Sequence, residues 1–452
     1  MQARPATGPS AMISGPVVGG SGNPFIGSPT IDVGAQGYGQ SEFFADGTAQ
    51  SYQPVGPQDP DGRWTVAPGA SATYRTRILV RRPTDAHRFN GTVLVEWLNV
   101  SGGVDADPDF SYMRTELMRS GYAWVGMSVQ QIGVSGGNAV VRVKGVPTGG
   151  LRAIDPARYA SLHHPGDAYA LDMFSQVGRA LRLGGSIDPL GGLRPERLAA
   201  IGESQSAFEL TTINAIQPRT RVFDGFFVHS RGGGAVPLAG GNIVSGISGG
   251  THLRDDTDVP VLMFETETDE ALLRYYDARQ ADTALIRLWD VAGAAHADAY
   301  LVGNVAALIG CGNEINNAPT HYVVDAALSQ FGHWLRTGTP PPSAPRLQVS
   351  TSTGRPVVQR NVLGNAVGGL RTPAVDVPVA ALSGVPADAS NVLCSLFGSA
   401  HPFDGATLER LYPAPGSYLA AFTAALDTTI NNGYLLPADR AQLLAEAGAV
   451  RI

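Results

Sequence analysis

The chain has 452 residues, of which 43% are hydrophobic and 16% are charged. This balance excludes a mainly disordered chain, and the length allows a large buried core. The formal charge of −7 leaves no basic stripe to neutralise phosphates, which argues against a nucleic-acid partner. Arginine supplies nearly all of the positive charge, because Lys144 is the only lysine. Chemistry that depends on a lysine, such as a Schiff base or a Walker-type phosphate loop, is therefore nearly excluded.

The sequence leaves the cellular compartment and the oligomeric state open. No stretch approaches the roughly 20 apolar residues that span a bilayer. Residues 1–20 lack a basic region followed by an apolar segment, so no signal peptide is visible, and a mature secreted or periplasmic chain remains an alternative. Cys311 and Cys394 are too few for a disulfide framework, and one bridge or two separate thiols are equally compatible with the sequence.

The middle of the chain has the pattern of an α/β fold. Residues 1–70 are rich in Gly, Pro and Ser and predict an N-terminal extension of loops and strands. Within 71–337, short apolar runs alternate with amphipathic stretches, which indicates a mostly parallel central sheet with helices on both faces. The apolar runs predict strands at 76–80, 92–98, 122–129, 198–202, 224–229, 259–265 and 285–291. The amphipathic stretches predict helices at 109–120, 166–183, 205–216, 270–280 and 320–337.

Three segments do not fit the strand–helix alternation. Residues 131–165 and 231–258 are insertions that contain Gly-rich runs, and residues 338–452 form a C-terminal segment that we expect to pack on the core, with helices at about 415–427 and 437–447. Long insertions in a compact core are typical of binding loops. We therefore expect one enlarged domain whose substrate selection lies in these added segments.

The most informative local pattern lies around Ser204. The apolar run 198–202 leads into Gly202-Glu-Ser204-Gln-Ser206 and then into a helical stretch. A sharp turn between a strand and a helix is the context of a nucleophile elbow, in which the serine projects above the sheet edge. Small residues are needed two positions before and after the serine because strand and helix approach closely, and Gly202 and Ser206 meet that need. Ser204 is therefore the candidate nucleophile.

An acid and a histidine follow Ser204 in the order expected after a nucleophile elbow. Strand 259–265 ends in the acidic loop 265–270, and strand 285–291 leads to His296. A carboxylate that fixes the tautomer of His296 would make this histidine a general base. Asp269 stands at the usual position of the acid and Glu267 is the alternative, whereas Asp298 is expected to be structural because it is so close to His296.

An ester-cleaving site also needs two N–H donors for the developing oxyanion. The first is expected from Gln205, the residue after the nucleophile. The second is expected from Val100 or Ser101, in the flexible loop 99–103 that follows strand 92–98.

Other polar residues are candidates for binding roles. Asp105, Asp107 and Asp109 alternate like the start of a calcium loop, but Phe110 stands where glycine is required, so a solvated loop is predicted. The remaining candidates for the lining of a substrate pocket are His164, His229 and Arg231. No metal-binding or nucleotide-binding motif is present, so we expect neither a metal nor a cofactor.

These motifs resemble the α/β-hydrolase superfamily, and more closely a bacterial family of α/β-hydrolase domain-containing proteins. The resemblance implies a serine esterase that acts on a small-molecule ester with Ser204, Asp269 and His296. Glu203 beside the nucleophile is less usual. The similar stretches are VLVEWLNVSGG (93–103), GYAWVGMSVQ (121–130), HPGDAY (164–169), GESQSAF (202–208), VHSRGG (228–233), FETETDE (264–270), DVAGAAHADAY (290–300), WLRTGTPPP (334–342), GNAVGGLRTP (364–373) and LLPAD (435–439).

Two alternatives to ester hydrolysis remain open at this stage. An acyltransferase or a lyase would use the same elbow and would form product only with an acceptor other than water. A catalytically silent binding protein would keep the fold without turnover, since this fold also serves interaction alone.

Overall fold

The computed structural model describes residues 8–140, 145, 147–241, 249–303, 311, 315–386 and 392–451. Lys144 and parts of both Gly-rich insertions lie outside these described residues. The chain divides into two compact units. The first comprises Met1–Val261, Asp277–Ile286 and Gly332–Thr339, and the second comprises Leu262–Tyr276, Arg287–Phe331 and Pro340–Ile452. The domain boundaries expected from the sequence stay a prediction.

Seven strands form one sheet in the first unit. They are β1 (Met12–Ser14), β2 (Tyr38–Pro54), β3 (Val66–Pro83), β4 (Thr92–Trp97), β5 (Ala123–Met127), β6 (Arg197–Glu203) and β7 (Gly225–His229). Their order across the sheet is β1-β2-β3-β5-β4-β6-β7. Strands β5, β4, β6 and β7 run parallel to one another, whereas β1, β2 and β3 pair antiparallel. Every residue of β4, β5 and β7 is buried, as expected for strands covered on both faces.

Helices in the first unit follow the parallel strands. They are α1 (Pro108–Arg119), α2 (Gln131–Ser135), α3 (Gly150–Ile154), α4 (Pro156–Tyr159), α5 (Ala170–Leu183), α6 (Gln205–Ala215) and α7 (Gln217–Thr220). Helix α6 packs on β6 and β7, α1 on β6, and α5 on β2. The α/β architecture expected from the sequence is confirmed.

The second unit contains the remaining strands and most of the remaining helices. Its strands are β8 (Val261–Thr266) and its neighbour β9 (Ile286–Val291), followed by the two-stranded pairs β10 (Val349–Ser350) with β11 (Val357–Val358) and β12 (Ala380–Ser383) with β13 (Ser399–Pro402). The helices are α8 (Glu267–Ala271), α9 (Ala299–Val302), α10 (Thr320–Thr337), α11 (Pro373–Asp376), α12 (Val392–Leu396), α13 (Gly405–Leu411), α14 (Ser417–Asn431) and α15 (Arg440–Gly448). Among the described residues, no helix combines the length and the apolar character needed to cross a bilayer.

One predicted helix is wrong. The sequence analysis placed a helix at 270–280, but α8 begins at Glu267 and ends at Ala271, and only a 3-10 turn follows at Tyr275–Ala278. Helix α8 starts early because Thr266 and Asp269 form a capping box. It cannot continue because Arg274 has a φ of 58°, a left-handed conformation that breaks an α-helix.

The two cysteines form a disulfide, which the sequence had left undecided. Cys311 and Cys394 are bonded and lie 83 positions apart in the sequence. The segment beside Cys394 bonds the loop that carries His296, since Ala297 N–H donates to the carbonyl of Leu396 at 3.1 Å. The disulfide thus links the middle of the C-terminal segment to Cys311, and the neighbouring hydrogen bond links it to the histidine loop, all within the second unit.

Removal of this disulfide is expected to destabilise the chain. Replacing Cys311 and Cys394 by serine should lower the free energy of unfolding by about 2–4 kcal/mol, because a cross-link over a long segment restricts the unfolded chain. Urea unfolding of the wild type with and without a thiol reductant measures the effect. The double serine variant is the control, because it has no disulfide to reduce. If the reductant lowered the stability of this variant as much as that of the wild type, the disulfide would be contradicted.

Candidate functional site

Ser204 lies at a sharp turn between a strand and a helix. Strand β6 ends at Glu203 and α6 begins at Gln205, so that Ser204 alone makes the turn. Its φ of 59° and ψ of −122° are a conformation that an L side chain rarely adopts. Its N–H donates to the carbonyl of His229 at 2.9 Å, and its carbonyl accepts the first helical bond, from Ala207 N–H at 2.9 Å. Backbone strain of this kind persists at functional sites when the surrounding structure enforces it.

The turn leaves little room for a side chain at position 202. A Cβ on Gly202 would lie 3.0 Å from Ser206 Cβ and 3.1 Å from Leu210 Cδ1, both on α6. Strand and helix therefore approach as closely as the sequence analysis expected, and the small residues on either side of Ser204 permit that approach.

A chain of amide hydrogen bonds connects the elbow to the loop 99–103. Val100 N–H donates to Gln205 Oε1 at 3.3 Å, and Gln205 Nε2 donates to Gln130 Oε1 at 2.7 Å. Trp97 Nε1 donates to the same Gln130 oxygen at 3.1 Å. Ser101 N–H donates to Asn99 Oδ1 at 2.8 Å. Both candidates for the second oxyanion donor thus have their N–H groups bonded to side-chain oxygens in this structure.

His296 and Asp269 form a buried pair in the second unit. His296 Nδ1 lies 2.6 Å from Asp269 Oδ1, and the two residues are 4% and 0% exposed. The other carboxylate oxygen, Asp269 Oδ2, accepts hydrogen bonds from Thr266 N–H and Thr266 Oγ1, each at 2.7 Å. The capping box of α8 therefore fixes Asp269 in the orientation in which it meets the imidazole.

Glu267, the alternative acid, has other partners. Its Oε1 accepts from Gly293 N–H at 2.6 Å, and its Oε2 accepts from Gly384 N–H at 3.0 Å and from Arg360 Nη2 at 2.6 Å. These bonds tie the loop after β8 to the C-terminal segment. Asp298, expected to be structural, caps α9 by accepting from Tyr300 N–H and Leu301 N–H, which confirms that expectation.

The prediction of a solvated loop at Asp105, Asp107 and Asp109 is wrong. All three residues are at most 1% exposed. Each carboxylate has a basic partner in the first unit: Arg77 for Asp105, Arg81 for Asp107, and His229 for Asp109. Buried carboxylates require such partners because an isolated charge in the core is strongly unfavourable.

The structure describes the positions of the three residues predicted to line a substrate pocket. His229 Nδ1 lies 2.8 Å from Asp109 Oδ1, and burial raises the pKa of the Asp109 carboxyl although the histidine opposes the shift. Arg231 is fully buried and donates to the carbonyls of Gly232 and Thr251. His164 Nε2 contacts the carbonyl of Val129 at 2.6 Å, and Nδ1 accepts from Gly166 N–H at 3.1 Å. Both ring nitrogens of His164 are thus used within the fold.

No group of three or more His, Cys, Asp or Glu side chains within the described ranges is arranged to hold a metal ion. Within the described ranges, the elbow and its amide network lie in the first unit, and the His296–Asp269 pair lies in the second.

Comparison with known proteins places the chain in a family. A sequence model of the alpha/beta hydrolase domain matches residues 13–445. The chain belongs to this family. No curated protein matches the chain.

Solved structures similar to this alpha/beta hydrolase include several hydrolases. XC6422 from Xanthomonas campestris, an a/b serine hydrolase without lid, is 11% identical, with 57% of this chain and 90% of that chain covered and a TM-score of 0.30. An esterase from Rhizomucor miehei is 10% identical, with coverage of 64% and 84% and a TM-score of 0.31. Glucuronoyl esterase from Solibacter usitatus is 12% identical, with coverage of 64% and 82% and a TM-score of 0.30. TM-scores this low support no inference about activity.

Sequence reasoning missed three polar residues of the alpha/beta hydrolase that lie close to the elbow. Gln130 holds the amide network, and Asp167 lines a cavity with Gln130 and Gln205. Glu209 lies on α6, and burial raises the pKa of its carboxyl well above the usual value, with a smaller contribution from the charge of Asp167. Gln130 lies just past the carboxyl end of β5, in the parallel part of the sheet. Ligands of such sheets bind at that end of the strands, and this position could have marked Gln130 from the sequence.

Proposed function

We propose that this alpha/beta hydrolase cleaves carboxylic esters through an acyl-enzyme intermediate, with Ser204 as the nucleophile. The observation that carries the proposal is the backbone of Ser204, a non-glycine residue with a φ of 59° between strand and helix. This backbone geometry is that of a nucleophile elbow, in which the serine hydroxyl projects above the sheet edge, and the N-terminus of α6 beside Ser204 favours negative charge.

His296 is proposed as the general base and Asp269 as the carboxylate that orients it. With a proton on Nδ1 donated to Asp269 Oδ1, the Nε2 atom of His296 has a lone pair that can accept the proton of the serine. The buried carboxylate then stabilises the imidazolium that forms. The chain order of serine, acid and histidine is that of alpha/beta hydrolases.

Two N–H groups are proposed to hold the oxyanion. The N–H of Gln205 belongs to the first turn of α6, where no intrahelical acceptor exists. Val100 is preferred to Ser101 as the second donor, because its bond to Gln205 Oε1 is 3.3 Å long, whereas Ser101 donates to Asn99 at 2.8 Å. A weak bond is more easily exchanged for a bond to a charged oxygen.

The proposed reaction has two steps. Ser204 Oγ bonds to the ester carbonyl carbon while its proton passes to His296, and the alcohol departs with that proton as the carbon–oxygen bond breaks. Water then attacks the acyl-serine, His296 takes a proton from the water, and the carboxylic acid is released as the proton returns to Ser204. No cofactor and no nucleic acid takes part in this proposal.

A fluorophosphonate probe tests the proposal. The probe should label the wild-type protein at Ser204, because it reacts with serines activated by a neighbouring base. Peptide mapping of the labelled protein identifies the residue. Absence of labelling, together with absence of hydrolysis of p-nitrophenyl acetate, would contradict the proposed function and favour a silent binding protein.

The compartment is part of the same proposal. A disulfide forms and persists in oxidising environments, so the bond between Cys311 and Cys394 supports a secreted or periplasmic location.

A further inference from the structure

A cavity of about 300 Å³ borders the elbow within the first unit. Its size is at the lower end of the range for small-molecule sites. Gln205, which directly follows Ser204, and Val100 both line it. The side chains with amide or carboxyl groups that line the cavity are Gln130, Gln131, Asn138, Asp167 and Gln205.

The orientations of two amides in this cavity follow from their neighbours. Trp97 Nε1 can only donate, so the Gln130 atom that it meets is the oxygen. Gln205 donates to that same oxygen, so the Gln205 atom involved is the nitrogen. The remaining Gln205 atom is then the oxygen, which agrees with its bond from Val100 N–H. No other assignment of the two amides satisfies all three contacts.

This assignment leaves polar groups available to a ligand. Gln130 is only 2% exposed and lines the cavity, yet within the part of the chain that the structure describes its Nε2 has no hydrogen-bond partner. Asp167 Oδ1 accepts from Gln131 N–H at 2.7 Å, while among the described residues Oδ2 accepts no hydrogen bond. The cavity therefore presents amide donors together with a carboxylate acceptor.

The charges at the cavity limit the class of ligand. No lysine, arginine or histidine is among the described residues that line it, so these residues offer no countercharge to a carboxylate or a phosphate. Asp167 is the only acid among the described residues that line the cavity, and no described group of three His, Cys, Asp or Glu side chains is arranged to hold a metal ion, so the cavity is a poor site for a cation. Only three lining residues have aliphatic side chains, which is unfavourable for a long acyl chain.

We propose that this cavity binds an uncharged, hydroxyl-bearing group of the ester substrate, with Gln130 Nε2 donating to one hydroxyl and Asp167 Oδ2 accepting from another. A hydroxyl group both donates and accepts, so a group with two hydroxyls can satisfy an amide and a carboxylate that line the same cavity. This inference rests on the proposed ester hydrolysis and narrows it to a substrate class.

Two matched pairs of esters test the inference, one for each side of the ester bond. Glyceryl monoacetate is compared with 2-methylbutyl acetate, and methyl glycerate with methyl 2-methylbutanoate, so that methyl groups replace hydroxyls at similar size. In at least one pair, the kcat/KM of the hydroxylated ester should be at least tenfold higher than that of its methyl-bearing partner. A methyl group in place of the hydroxyl leaves the polar groups of the site unpaired. A ratio below ten in both pairs would overturn the inference.

A variant of a cavity residue distinguishes hydroxyl binding in the cavity from a general preference of the protein for polar esters. Asp167→Ala should lower the ratio of the two kcat/KM values within the preferred pair at least fivefold. The loss should come mainly from a higher KM for the hydroxylated ester, because the variant lacks the carboxylate that accepts from a hydroxyl. Asp59→Ala is the matched control, since Asp59 is exposed and does not line the cavity, and its ratio should equal that of the wild type. Retention of the full ratio in Asp167→Ala would overturn the inference. If this variant does not accumulate as folded protein, Gln130→Met serves as the same test.

Failure of the proposed function is distinguishable from failure of this inference. A wild type that hydrolyses neither member of either pair and resists the fluorophosphonate probe contradicts ester hydrolysis itself. A wild type that is labelled and hydrolyses both members without the tenfold preference contradicts only the hydroxyl-binding cavity.

Discussion

Replacing Ser204 by alanine is expected to lower kcat for ester hydrolysis on the order of 10⁶-fold while the protein stays folded. The proposed mechanism has no other nucleophile, so turnover falls to what binding and the oxyanion donors supply. Folding should persist because the Ser204 side chain makes no capping hydrogen bond to α6. Steady-state hydrolysis of p-nitrophenyl acetate and urea unfolding measure the two quantities.

Ser204→Gly is the matched variant that tests the backbone strain at position 204. A φ of 59° with a ψ of −122° is the mirror image of an extended backbone, which glycine alone adopts readily. Alanine keeps the strain and glycine relieves it. We therefore expect both variants to be inactive and the glycine variant to be more stable than the alanine variant by about 1 kcal/mol. Equal stabilities would contradict the strained elbow, and substantial turnover by Ser204→Ala would contradict the nucleophile.

The elements that the sequence predicted well are those with a local signal. The turn at Ser204 needs only an apolar run, small residues at 202 and 206, and a helical stretch, all within a short window. Helix α10 was predicted with its observed bounds, 320–337, because three prolines follow it closely and cannot continue a helix.

The elements that the sequence did not reveal depend on distant partners. Strand β2 runs for 17 residues, yet its sequence includes glycines and polar residues, and its stability comes from pairing with β3. Asp105 was interpreted as solvated because it lies in a loop and its partner Arg77 is 28 positions away, on β3. The amide network of Gln130 and Gln205 joins residues 75 positions apart. Such pairs become visible only when the topology brings their strands together.

Replacing Asp269 by asparagine is expected to lower kcat by about 10⁴-fold, through the tautomer of His296. Thr266 N–H can only donate, and it lies 2.7 Å from Asp269 Oδ2. The asparagine carbonyl must therefore face Thr266, which turns the amide NH₂ toward His296 Nδ1. That nitrogen is then forced to accept, so the proton moves to Nε2, where it blocks removal of the serine proton. Initial rates with p-nitrophenyl acetate measure the loss.

Glu267→Gln is the matched control, because it makes the same chemical change at the alternative acid. Glu267 bonds Arg360, Gly293 N–H and Gly384 N–H, and a glutamine amide cannot accept from all three. We expect the free energy of unfolding to fall by about 1.5–3 kcal/mol, because buried Glu267 loses the charge that pairs with the partly exposed Arg360. The kcat of the folded protein should fall less than about tenfold, because the His296–Asp269 bond remains. If Glu267→Gln lost activity and Asp269→Asn kept it, Glu267 would be the acid, and the bond between Asp269 and His296 would serve only to position the histidine loop.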